Sequence, residues 1–126
     1  MRTTGFLAFS LCLILSSPAK AIDTGAELLR ACSAVVKQAD GLKISEEEGV
    51  LSVYCLGYVS GFTDSVRLTS HFYKPRDPKI CLPEKGASNE QLIRVVTKWL
   101  KDHPENLHGS ARLEVMLALE NTFTCK

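Results

Sequence analysis

Apolar residues return at helical spacing in four stretches of the chain, and nowhere do they alternate with period two for long enough to suggest a sheet. In the first stretch they are Leu28, Cys32, Val35, Val36 and Ala39, and Gly41 follows as a stop. In the second they are Leu51, Cys55, Tyr58, Phe62 and Val66. The third carries Leu92, Val96, Trp99 and Leu100 and ends before Pro104, while a fourth begins near Ser110 with Leu113, Met116, Leu117 and Phe123 on its inner side. Three of these stretches open on one device. Thr24…Glu27, Ser45…Glu48 and Ser88…Gln91 match the capping box, in which two side chains satisfy free backbone amides reciprocally. The pattern predicts an all-α fold, a small bundle of four to five helices.

The segment His71 to Ala87, "HFYKPRDPKICLPEKGA", breaks the pattern. Pro75, Pro78 and Pro83 forbid a continuous helix, and the stretch is long for a connection in a compact helical domain. Through Lys79 it carries His71, Lys74, Arg76 and Lys79 against Asp77 alone. One reading is an exposed loop pinned by Cys81. The other is a recognition loop whose tip, Tyr73, Lys74 and Arg76, joins an aromatic ring to cations, with Tyr and Arg both favoured at binding hot spots.

The second helix raises its own question, because "CLGYVSGF" (Cys55–Phe62) places two glycines inside it. Each costs a helix interior about 1 kcal/mol relative to alanine. Gly57 and Gly61 form a small-residue stripe displaced from the inward face of Cys55, Tyr58 and Phe62. Glycines four apart let another backbone approach closely, so the stripe predicts tight packing within the domain or across a homodimer.

Composition changes the picture first at the N-terminus. Arg2, the apolar run Phe6–Leu15 and Ala19-Lys20-Ala21 match a secretory signal peptide over residues 1–21. The apolar run is too short for a comfortable transmembrane helix, which needs about 20 residues. Residues 22–126 then form one small exported domain of 105 residues, with 13 basic and 14 acidic side chains. That balance supplies no basic field for nucleic acid, and no second long apolar run argues for a membrane span.

Cys32, Cys55, Cys81 and Cys125 remain after cleavage, and an even count in a small exported domain predicts two disulfides. Spacing alone allows three pairings. The helical map favours one: helices 1 and 2 turn back around Gly41-Leu42, with Cys32 ten residues before Leu42 and Cys55 thirteen after. Cys81 precedes the third helix and Cys125 follows the fourth, which meet end to start if antiparallel. The expected pairs are Cys32–Cys55 and Cys81–Cys125.

Candidate chemistry is thin. "HPENLH" sets His103 and His108 five apart with a proline between, which is not the i, i+4 pair of a zinc helix. A cysteine nucleophile would need an unpaired thiol. Glu46, Glu47 and Glu48 sit where carboxylates ordinarily complement a helix dipole. No catalytic residue, metal ligand or cofactor site is expected, and the chain is not read as an enzyme.

Four ordered blocks carry a resemblance over nearly all of residues 22–126. "LLRAC", "CLGYVSGFTD", "ICLPEKGASNEQLIRVVTKWLKDHPENLH" and "LALENTFTC" resemble the Rap/Tai-type immunity proteins, with all four cysteines in place. One departure is Thr124, where the family often has proline before the last cysteine. The resemblance implies a periplasmic protein that binds and inhibits a peptidoglycan amidase delivered by type VI secretion. It also implies a small disulfide-bonded helical domain, often dimeric, whose loop or helix end occludes the amidase cleft. The loop from His71 to Lys79 lies outside the matching blocks, so Tyr73, Lys74 and Arg76 rest on residue chemistry alone. The alternative is a small periplasmic helical stress chaperone without a dedicated toxin, holding many clients in acid.

Overall fold

The computed structural model describes residues 21–126, so the expected signal peptide falls outside the described residues except for Ala21. Thr24 has the extended backbone of an N-cap; its hydroxyl accepts from the Glu27 amide, and the Glu27 carboxylate accepts from the Thr24 amide in return. That closed box starts α1, Gly25–Ala39. Leu28, Ala31, Cys32 and Val35 fall on one face and are buried. The helix stops where Gly41 takes a φ of +76°, open to glycine without a Cβ clash.

Ser45 and Glu48 close a second full box at the start of α2, Glu46–Phe72, which runs for 27 residues. The third box is half made: Ser88 Oγ accepts from the Gln91 amide (3.1 Å) at the start of α3, Asn89–Asp102. After a 3-10 turn over Pro104–Asn106 comes α4, Ala111–Thr122. No side chain caps α4; its first amide instead donates to the Asp23 carbonyl at 2.8 Å.

The described residues contain no strand, only two isolated bridges, Thr24 with Ser110 and Ile80 with Thr124. The described residues form an all-α bundle of four helices.

Each of the four helices touches the other three, α1 packing most closely on α2 and α3, and α2 and α4 meeting one another least. The fully buried Leu28, Leu92, Ile93, Val96, Leu100, Val115 and Leu119 fill the centre between them. The start of α1 docks on the corner after α3, where Gly25 N–H donates to Gly109 O (3.0 Å) and Ala26 N–H to Leu107 O (2.8 Å). A Cβ on Gly25 would lie 3.2 Å from Leu107 Cα, so a larger residue would have to push the corner back by a few tenths of an ångström.

Cys32 and Cys55 are bonded to one another in the core, and Cys81 is bonded to Cys125 at the exit of α4; the Cα separations are 5.1 and 5.0 Å. In the loop-entropy account such bridges contribute roughly 3–4 kcal/mol each. Thr124 is bridged to Ile80 through the Cys81 amide donating to Phe123 O, and its hydroxyl donates to Glu120 O at 2.8 Å.

Two expectations change. The inner side of α4 is Ala111, Glu114, Val115, Ala118 and Leu119, while Leu113 and Met116 face solvent. The two alanines let α4 lie close against the bundle, and the buried Glu114 has a donor waiting for it. The break after α2 also comes later than the loop reading places it, since His71 and Phe72 complete the helix.

Candidate functional site

α2 is apolar on more sides than the bundle covers. Only Ser52, Cys55, Val59 and Thr63, one side chain per turn, are buried. Leu51, Tyr58, Phe62 and Val66 flank that stripe and pack partly against the core. Val50, Val53, Tyr54 and Leu68 stand in solvent on the remaining surface. Gly57 and Gly61 are exposed within it, and a Cβ on either would meet nothing within 4 Å. The glycines therefore serve no close packing inside the domain, which removes that half of the expectation drawn for them.

The end of α2 projects as a tip. Phe72 is 70% exposed and Tyr73 82%, and the His71 ring meets Phe72 edge-on at 4.9 Å. Tyr73 closes the helix by donating its amide to Thr69 O (2.9 Å). Lys74 then takes a φ of +42° directly before Pro75. A residue preceding proline is ordinarily pushed to extended backbone, and a left-handed conformation costs a residue with a Cβ about 1–2 kcal/mol. Strain of this kind persists where the surroundings over-determine it and clusters at working surfaces.

Among the cations of the segment, Lys79 is committed to Asp77 (2.7 Å), which raises its pKa. The chain is anchored again at Ile80 by the bridge to Thr124, and at Cys81 by its amide donating to Phe123 O (2.8 Å). Tyr73, Lys74 and Arg76 are thus brought to one exposed end of the molecule, all in the short stretch between α2 and that anchor.

Between the last turns of α2 and the anchored segment lies a cleft of about 700 Å³. Val66, Ile80 and Leu82 give it apolar lining, and Arg67, His71 and Lys74 line it from the helix side.

Several other titratable groups are occupied structurally. Glu48 accepts from the Ser45 amide (2.8 Å) and from Lys37 Nζ (2.9 Å), and these two contacts, the amide first, hold its carboxyl below the usual range. Glu47 pairs with Arg30. Burial pushes the Tyr58 hydroxyl up. His103 stacks on Trp99 at 3.8 Å with Nδ1 near Trp99 O (2.9 Å). The corner of His103 to His108 therefore receives the start of α1 and the Trp99 ring. Among the described residues no group of three or more His, Cys, Asp or Glu is placed to hold a metal ion, and no helix is long and apolar enough to cross a membrane.

Tyr73, Lys74 and Arg76 are exposed; sequence reasoning missed the exposed apolar side of α2. The available signal was a surplus: Val50, Val53, Tyr54, Leu56 and Leu68 exceed what one helix face can bury.

In comparisons with known proteins, the family model described as Rap1a immunity proteins matches residues 24–125. Neither a curated protein nor a solved structure matches the chain.

Proposed function

We propose, from the premise that the chain belongs to the Rap1a immunity proteins, that it protects its producer by binding and inhibiting a type VI secretion peptidoglycan amidase. It acts in the periplasm, after residues 1–21 are removed as a signal peptide. Inhibition is steric: the tip of α2 enters the substrate cleft of the amidase and excludes the peptidoglycan strand. The observation that carries this reading is the pairing of an exposed aromatic with cations on a fixed projection. Tyr73 sits at the end of a 27-residue helix and the chain beyond it is re-anchored at Cys81, so little ordering entropy is lost on binding. Tyr73, Lys74 and Arg76 are the contact residues, with shape and charge setting partner choice. No catalytic step or cofactor is assigned to the protein.

The exposed side of α2 suits a homodimer. Gly57 and Gly61 straddle Val59, the middle residue of α2. Antiparallel pairing with a second copy sets Gly57 across from Gly61 and Val50 across from Leu68. It also brings the first-turn carboxylates, Glu46 to Glu48, of each copy toward the cationic tip of the other.

The same exposed apolar surface would serve the alternative, a stress chaperone. A pull-down with oxidised residues 22–126, including any amidase encoded beside the gene, separates the two. A stoichiometric complex that abolishes peptidoglycan cleavage is expected. Failure to inhibit any amidase, with many unfolded clients held soluble in acid, would sink the immunity reading in favour of the chaperone.

A further inference from the structure

The cleft beside the tip has two unlike halves. Arg67 and His71 line it from α2 and Lys74 from just beyond the helix, while Val66, Ile80 and Leu82 give it apolar ground. Glu84 is its one carboxylate. Arg67 is partly committed, at 3.1 Å from Asp64. Lys74 makes no ion pair among the described residues, and it lines the cleft from a left-handed backbone. The last carbonyls of α2 carry partial negative charge, so the attraction for an anion comes from the cationic side chains and not from the helix end.

Both walls are fixed before anything binds. One is the last part of α2, and the other is held by the Ile80–Thr124 bridge and the Cys81–Cys125 bond. A preformed groove, cationic on one side and apolar along its floor, selects an extended segment with a carboxylate next to a hydrophobic side chain.

We infer that this cleft is a receptor for an acidic–apolar peptide segment, its carboxylate against Lys74, His71 and Arg67 and its apolar neighbour on Val66, Ile80 and Leu82. This rests on the immunity reading only for the source of the segment, which is then a surface loop of the effector. Contact is reciprocal: the tip enters the effector, and the effector returns an acidic loop into the adjoining cleft. Lys74 stands at the junction of the two.

Two measurements test the cleft separately from the immunity reading. In the first, the oxidised domain of residues 22–126, labelled with ¹⁵N, is titrated with acetyl-Glu-Leu-Glu-Leu-amide and, as control, acetyl-Lys-Leu-Lys-Leu-amide. Saturable shifts confined to residues 66–74 and 80–84 are expected with the acidic peptide. Lys74→Glu, an exposed change that leaves the core alone, should weaken them about tenfold, the worth of one charge-assisted contact. Shifts that are absent, scattered over the surface, or equal with the basic peptide overturn the proposal.

The second measurement uses the amidase captured in the pull-down. Leu82→Glu, which sets a negative charge in the lining against the acidic segment, should raise the concentration needed for half inhibition about tenfold. Full inhibition by Leu82→Glu, a residue outside the tip, would show that the effector does not use the cleft, leaving the immunity reading intact. An amidase that the wild-type protein never inhibits removes the immunity reading, while the peptide titration still decides what the cleft binds.

Discussion

The indole Nε1 of Trp99 donates to the carboxylate of Glu114 at 2.9 Å, joining α3 to α4 through a polar pair inside the bundle. Glu114 is only 3% exposed. An acidic residue on the inner face of a helix is costly unless it is satisfied, and Trp99 supplies the donor.

Removing the acceptor leaves a partly buried N–H unpaired. Glu114→Ala should therefore destabilise the domain by about 1–3 kcal/mol, and Glu114→Gln, which keeps a carbonyl oxygen, by less. Trp99 is the single tryptophan of the chain, so urea unfolding followed by its fluorescence reads both variants directly. Equal stability of the Ala and Gln variants would show that the hydrogen bond contributes nothing beyond packing.

Gly57 and Gly61 face open space, and each weakens α2 by about 1 kcal/mol relative to alanine. Changing both to leucine should raise the thermal stability of the monomer while abolishing the proposed dimer, because side chains now hold the two helices apart. Light scattering after gel filtration measures the second effect and calorimetry the first. A double variant that remains dimeric would move the interface away from this stripe.

Tyr73 and Arg76 are proposed to carry binding through exposed side chains, so their replacement should cost affinity and leave stability alone. Alanine at either position should lose well over 1 kcal/mol, roughly the threshold of an interface hot spot, in calorimetric titration with the captured amidase. Unchanged affinity for both would relocate the contact, with the His103–His108 corner next in line.

Glu48 links pH to stability. The Ser45 amide and Lys37 hold its folded pKa down, so its contribution is complete above the unfolded value, about 4.3, and is lost as pH falls through the lower folded value. Glu48→Gln should melt below wild type at pH 7 and converge with it in acid. A gap in Tm as wide at pH 3 as at pH 7 would show that the charge is not the cause.

The helices were legible because their starts are local. Thr24 with Glu27 and Ser45 with Glu48 act within one turn, and the buried residues of α1 and α3 follow one simple period. The inner face of α4 was not legible in the same way. Hydrophobicity favours Leu113 and Met116, but the fold places Ala111 and Ala118 inward because close approach needs small side chains. Glu114 can follow them only because Trp99, fifteen residues earlier in sequence, stands opposite. The cleft beside Lys74 was hidden for a similar reason: its two walls come from α2 and from a segment fixed by Cys125, and no local pattern joins them.

As a covalent object, the oxidised domain is two rings in series. One closes between Cys32 and Cys55 and the other between Cys81 and Cys125, and neither encloses the other. Each can therefore form without waiting for the other. Residues 56–80 belong to neither ring and form the linear bridge between them. That bridge carries the glycine stripe, Leu68 and the whole tip, so it is secured at its two ends rather than crosslinked within. Its outward side chains can be exchanged without touching either closure, and the surface available to a partner is thereby uncoupled from the bonds that keep the domain shut.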